Sequence, residues 1–221
     1  MPTAAKRAVA VVEIETIETI ETPHGPARAH VHAAENAIGS VVLGHGAGGG
    51  VNAPDLQAVA RAANATGHTA VLIEQPYRVA GRRSQPAAGA LDAAWIAVVR
   101  HLQADGLPAG KLVVGGRSAG ARVACRTASE LGADGVLCLA FPLHPPGKAD
   151  DPTKSRLPEL DAVRVPTLVI QGEADPFGRP PGGPRRRVVL VPGTHSLRST
   201  GLVEEAVTSW LDARDPSSSI T

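Results

Sequence analysis

From residue 40 onward, short apolar runs alternate with stretches whose apolar positions recur at helical spacing. Ser40-Val41-Val42-Leu43 is an apolar run that ends in the glycine cluster Gly44 to Gly50. Pro54 stands where a first helical turn opens, and Leu56, Val59, Ala60 and Ala63 share one helical face as far as Gly67. Thr69 to Ile73 reads as a strand, and Leu91, Trp95, Val98 and Leu102 mark an amphipathic helix closing near Gly106. Lys111 to Val114 predicts a strand and Ser118 to Leu131 a helix. Gly135 to Phe141, Thr167 to Gln171 and Arg187 to Val191 predict three further strands. Val203, Val207, Trp210 and Leu211 lie on one face of a closing helix. Ahead of all these, Val9 to Ile17 and Ala27 to His32 predict two strands around the turn Pro23-His24-Gly25-Pro26. The Ile-Glu-Thr triplets at 14–22 suit an edge strand with polar residues outward.

Buried strands alternating with helices specify an α/β architecture, a mostly parallel sheet of about eight strands with helices on both faces. The two leading strands fit an antiparallel edge. Residues 1–214 are read as one domain, and the Pro/Ser-rich 215–221 as a frayed tail. In such sheets ligands bind beyond the carboxyl ends of the strands, so chemistry is sought in the loops that follow them.

Composition narrows the classes of partner. The 22 basic and 21 acidic residues leave a formal charge of +1, which offers no footprint for nucleic acid or an anionic membrane. No apolar run has the length of a membrane span. Lys6 and Arg7 precede Ala8 to Val12, but Glu13 cuts that run too short for a signal peptide. Cys125 and Cys138 stand in apolar surroundings and read as buried thiols of a cytoplasmic protein, with one disulfide as the alternative. A homodimer is compatible with all of this. No cofactor is expected.

Gly116-Arg117-Ser118-Ala119-Gly120 has the G-x-S-x-G form of a nucleophile elbow. A serine on a sharp strand-to-helix turn needs glycine two positions either side, where side chains would collide. The turn aims the backbone amide of Ala119 at a developing oxyanion. The bare pattern would arise by chance in roughly one such sequence in ten, so its placement between a strand and a helix carries the inference. A hydroxyl needs a base, and in the chain order Ser, acid, His the candidates are Asp175 and His195, each directly after a strand. Glu173 is the alternative acid. The second oxyanion donor falls in Gly44 to Gly50, at the amide of Ala47, with Gly48 next; His45 is read as fixing this loop.

The chain resembles the α/β-hydrolase superfamily over nearly its whole length. Gly115 to Arg122, Asp175-Pro176-Phe177-Gly178 and His144-Pro145-Pro146-Gly147-Lys148 resemble a small lidless branch. That branch holds bacterial proteins similar to dienelactone hydrolases, with testis-expressed and non-specific-lethal relatives in eukaryotes. The resemblance implies a serine hydrolase of small soluble esters, thioesters or lactones. Dienelactone hydrolases proper carry a cysteine nucleophile where this chain has Ser118, so their particular substrate does not carry over. Some eukaryotic relatives are thought of as interaction proteins, which makes a non-catalytic module the alternative. Lids of the superfamily sit between the sixth and seventh strands, here Pro142 to Pro166, which has room for one short helix near Leu157 to Val163.

Gly44-x-Gly46-x-x-Gly49, with Glu74 beyond, spells a dinucleotide-binding pattern, but Gly50 to Ala53 separate it from the helix that should receive the pyrophosphate. His30 and His32 share a strand face, read as solvated and not as a metal site; no metal is expected. Arg185-Arg186-Arg187 reads as surface. Arg78, Arg82 and Arg83 follow a strand and should rim the site, where they could meet an anionic substrate group. Arg117 and Arg122 flank the serine; at least one should form a structural ion pair, with Arg117 and His144 also candidates for substrate contact.

Overall fold

Eight strands form one sheet in a computed structural model, which describes residues 15–214. In chain order the elements are β1 (Glu15–Ile20), β2 (Ala27–His32), β3 (Gly39–Gly44), α1 (Pro54–Ala65), β4 (His68–Glu74), α2 (Pro76–Val79) and α3 (Ala88–Asp105). They continue with β5 (Lys111–Arg117), α4 (Ala119–Thr127), β6 (Gly135–Leu139), α5 (Leu157–Asp161), β7 (Thr167–Gly172), β8 (Arg186–Val191) and α6 (Thr200–Asp212). The sheet order is β1-β2-β4-β3-β5-β6-β7-β8. β1 and β2 run antiparallel at one edge, β2 is antiparallel to β4, and every other pairing is parallel. This is the mostly parallel α/β sheet with an antiparallel edge that the alternation of elements predicts, in the arrangement that the resemblance to α/β-hydrolases implies.

The middles of the central strands are apolar because both faces are covered. One core joins Val42, Val71, Val114, Val136 and Val169 to α3 and α4 through Trp95, Val98 and Val123. The other joins Val41, Leu72, Val113, Leu137 and Ile170 to α1 and α6 through Leu56, Val59, Val207 and Trp210. With aromatics at 2% of the chain, Val, Leu, Ile and Ala fill nearly all of this volume. Among the described residues no helix is long and apolar enough to cross a membrane.

Several elements differ from their sequence-based bounds. The expected strand over Val9 to Ile17 lies partly outside the described residues, as does the tail 215–221; within them β1 continues to Ile20. α4 stops at Thr127, whose hydroxyl donates to the Val123 carbonyl, and the chain turns through Gly132 at φ 63°. His32 is not on a solvated face. It is 4% exposed at the edge of α1, where Asn64 donates to its carbonyl oxygen, and His30 lies 3.9 Å from Glu74. No group of three metal-ligating side chains gathers among the described residues. Arg186 is likewise not simple surface: it pairs with Asp161 at 3.0 Å and donates to the Pro181 carbonyl.

Between β6 and β7, residues 142–166 carry only a 3-10 turn at Pro152–Lys154 and the five-residue α5. Glu159 of α5 receives both a bidentate Arg122 and Arg126, and Arg126 also pairs bidentately with Asp92 of α3. These pairs hold the segment along α4. Cys125 and Cys138 are free and buried, with sulfurs 3.6 Å apart.

Candidate active site

The turn from β5 into α4 holds Ser118 at φ 53°, ψ −105°, a backbone conformation that costs a non-glycine residue about 1–3 kcal/mol. Its surroundings enforce that conformation. A Cβ on Gly116 would lie 2.4 Å from the Gly44 carbonyl oxygen, and one on Gly120 would lie 2.3 Å from the same atom. Both glycines therefore let β3 approach the elbow closely. The Ser118 amide donates to the Leu139 carbonyl at 2.9 Å, which ties the turn to β6.

The loops after β7 and β8 bring the other two predicted residues to the serine. His195 Nε2 lies 2.9 Å from Ser118 Oγ, and His195 Nδ1 lies 2.9 Å from Asp175 Oδ2. The Asp175 side chain is fully buried, and its Oδ1 accepts the Phe177 amide at 2.9 Å. The Phe177 ring packs on the imidazole at 4.3 Å between centroids. Gly172, which ends β7, has to be glycine, since a Cβ there would sit 2.1 Å from the Thr194 carbonyl oxygen. Glu173, the alternative acid, is exposed.

The loop after β3 runs over the serine. A Cβ on Gly46 would stand 3.6 Å from Ser118 Cβ. His45 fixes this loop: its Nε2 accepts the Gln75 amide at 3.1 Å, so the proton resides on Nδ1, which donates to the Gly46 carbonyl at 2.8 Å. Tyr77 of α2 donates its hydroxyl to the Ala47 carbonyl at 2.8 Å. Among the described residues no hydrogen bond engages the amides of Ala47 or Ala119, so both remain able to donate. Gly48 is exposed at the tip of the loop, with no atom within 4 Å of where its Cβ would be.

Burial pushes the His45 pKa down, so the unfolded chain protonates this ring before the folded one does. Its stabilisation is complete above the unfolded value and fades as pH falls below about 6.5. His45→Asn should therefore cost about 1–2 kcal/mol near neutral pH. Its melting temperature should approach that of the parent protein as buffers are taken down towards pH 5. A gap that is constant across that range would refute the assignment.

The arginines divide. Arg117 was expected to meet either substrate or a carboxylate; its Nε bonds Asp55 Oδ2 at 2.8 Å and its Nη2 bonds the His195 carbonyl at 3.1 Å, so it is spent on the scaffold. Burial pushes the Asp55 carboxyl up, an effect that Arg117 offsets only in part. This carboxylate in the first turn of α1 also opposes a pyrophosphate there, which removes the structural basis of the dinucleotide pattern. Arg78 donates to the Arg82 carbonyl at 3.3 Å and keeps a buried Nε near His45 that has no partner among the described residues. Arg82 lines a cavity of about 410 Å³ with His24, Gln75 and Tyr77, and Ser118 is not part of that lining. Arg83 is exposed. His144, expected near the substrate, instead braces the acid turn. Its amide donates to the Phe177 carbonyl at 3.1 Å, and a Cβ on Gly178 would fall 2.7 Å from its Nε2.

Gln171, Asp55 and Tyr77 all serve the site and were not singled out from the sequence. A polar residue closing the otherwise apolar Leu168-Val169-Ile170, four positions before Asp175, was the available signal for Gln171.

A family model described as Alpha/beta hydrolase domain matches residues 37–182. Among solved structures, an α/β serine hydrolase without a lid from Xanthomonas campestris is 22% identical, with a TM-score of 0.67 over 92% of this chain and 98% of its own. Est1E from Butyrivibrio proteoclasticus, bound to ferulic acid, is 16% identical, with a TM-score of 0.73 over 90% and 99%. A dienelactone hydrolase from Anabaena variabilis is 18% identical, with a TM-score of 0.70 over 90% and 96%. No curated protein matches the chain significantly in sequence.

Proposed function

The chain belongs to the alpha/beta hydrolase domain family, and on that premise we propose that it is a serine hydrolase of small soluble esters, thioesters or lactones, acting through Ser118, His195 and Asp175. The observation that carries this reading is the continuous relay of two 2.9 Å hydrogen bonds from Ser118 through His195 to a buried carboxylate. A serine held in strained backbone geometry at the head of that relay supports it further.

In this mechanism His195 Nε2 takes the Ser118 proton as Oγ attacks the substrate carbonyl carbon. Asp175 holds the imidazole in the Nδ1–H tautomer and balances its charge. The tetrahedral oxyanion accepts hydrogen bonds from the Ala47 and Ala119 amides, each worth about 3 kcal/mol in the transition state. Collapse breaks the bond to the leaving group, which departs with the proton from His195. Water, deprotonated by the same nitrogen, then attacks the acyl-enzyme, and collapse of the second intermediate frees the acid and restores Ser118.

The 142–166 segment, held along α4 by the Glu159 pairs, leaves an open site that suits small substrates. Aryl esters and lactones belong in the first substrate panel, given a dienelactone hydrolase and a ferulic-acid-bound protein among the structural relatives. Arg78 and Arg82 remain candidates for an anionic substrate group. The free thiols of Cys125 and Cys138 suit a reducing cytoplasm.

The test is covalent labelling with a fluorophosphonate, read by mass spectrometry of the Ser118 peptide. Stoichiometric modification at Ser118 is expected. A folded protein that resists the probe would favour a non-catalytic module.

A further inference from the structure

Gln171 ends the apolar run of β7 and is fully buried, at 0% exposure. Its Nε2 lies 2.8 Å from Asp175 Oδ2, 2.9 Å from the Gly178 carbonyl oxygen and 3.1 Å from the Phe141 carbonyl oxygen. All three neighbours are acceptors, so the amide can sit only with its nitrogen inward. Its Oε1 is then left buried with no partner among the described residues. An unsatisfied buried acceptor costs stability, and an apolar side chain of the same shape would avoid that cost. What the amide supplies in return is placement. The Oδ2 atom it binds is the one that accepts His195 Nδ1, and Phe141 lies two residues past Leu139, the acceptor of the Ser118 amide.

We propose that Gln171 is a positioning residue for the Ser118–His195–Asp175 relay, holding Asp175 Oδ2 on the imidazole and moderating how tightly that carboxylate binds the His195 proton. The inference rests on the hydrolase reading for its kinetic consequences, but not for its electrostatic ones. A hydrogen bond donated to a carboxylate spreads its charge and weakens its hold on a neighbouring cation. Without the donor, Asp175 should retain the charged imidazolium to higher pH. Among the described residues, three other charged or titratable groups stand beside this relay. Arg117 bonds the His195 carbonyl, His144 packs on Gly178, and Glu173 is exposed on the acid turn. None of them contacts Gln171 Nε2.

The experiment compares the parent protein with Gln171→Met and Gln171→His, the second retaining a ring N–H donor. For Gln171→Met with p-nitrophenyl acetate, kcat should fall about 10–100-fold, a share of what orientation of the base supplies. KM should stay within about twofold, because a side chain without exposure does not meet substrate. The acidic limb of the pH–rate profile should move up by about half a pH unit or more. Gln171→His should recover part of each change. The His195 ring resonance, assigned by its loss in His195→Ala and titrated by NMR, should move in the same direction whether or not the protein turns over ester. An inactive parent protein with a displaced His195 titration would thus sink the hydrolase reading and keep this one. A kcat loss with neither the profile nor the titration displaced would overturn the proposal, as would unfolding of both variants, which would assign the amide to the fold alone.

Discussion

Ser118→Ala should remove p-nitrophenyl acetate turnover, with kcat falling about 10⁴–10⁶-fold towards the residual rate that an oxyanion site alone supports. The variant should remain folded, because the change removes one hydroxyl and one 2.9 Å hydrogen bond to His195 and leaves the apolar cores untouched. Alanine does not relieve the strain at φ 53°, ψ −105°, whereas glycine does. Ser118→Gly should therefore be equally inactive yet more stable than Ser118→Ala by about 1 kcal/mol. Paired melting curves and initial rates read both effects. Undiminished turnover in Ser118→Ala would remove Ser118 as nucleophile, and equal melting temperatures for the two variants would show that the elbow stores no strain.

The strands and helices that carry this site were legible because burial on both faces writes itself as unbroken apolar runs such as Val41 to Leu43 and Leu168 to Ile170. Ser118, Asp175 and His195 could be picked out because each follows such a run. Harder to read were the residues whose partners lie far away in sequence. Arg117 sits beside the serine, and the ion pair expected of it or of Arg122 does form, but its partner Asp55 lies 62 residues earlier and no local pattern points to it. His32 shares a strand face with Arg28 and His30 and alternates with apolar residues as a half-solvated strand would, yet it is buried where Asn64 of α1 meets the end of β2. The four-residue α2 was too short to show a period, although it delivers the Tyr77 hydroxyl that anchors Ala47. For Arg117 and His32 local pattern fixed the element and tertiary contact decided the role; for α2 tertiary contact decided both.

Asp175→Asn should lower kcat by about 10⁴-fold while leaving the Ser118 hydroxyl in place. The reason lies in the donors around the carboxylate. Oδ1 faces the Phe177 N–H and Oδ2 faces both the Gln171 amide nitrogen and the His195 ring. An asparagine amide can satisfy only one side. With its oxygen towards Phe177, its NH₂ opposes Gln171 and can bond His195 only if Nδ1 becomes the acceptor. The imidazole proton then moves to Nε2, and the nitrogen facing Ser118 Oγ can no longer accept a proton. With its oxygen towards His195 and Gln171, the tautomer survives but the NH₂ is pressed against the Phe177 N–H. Either arrangement buries an unsatisfied or opposed donor, at about 1–3 kcal/mol of stability. In the first arrangement the rate loss and the melting-temperature loss separate: fluorophosphonate labelling should slow by a similar factor to kcat, while the protein stays folded well above assay temperature. Full activity in a folded Asp175→Asn variant would mean that Asp175 neither orients His195 nor balances its charge, and the exposed Glu173 would be the next carboxylate to test.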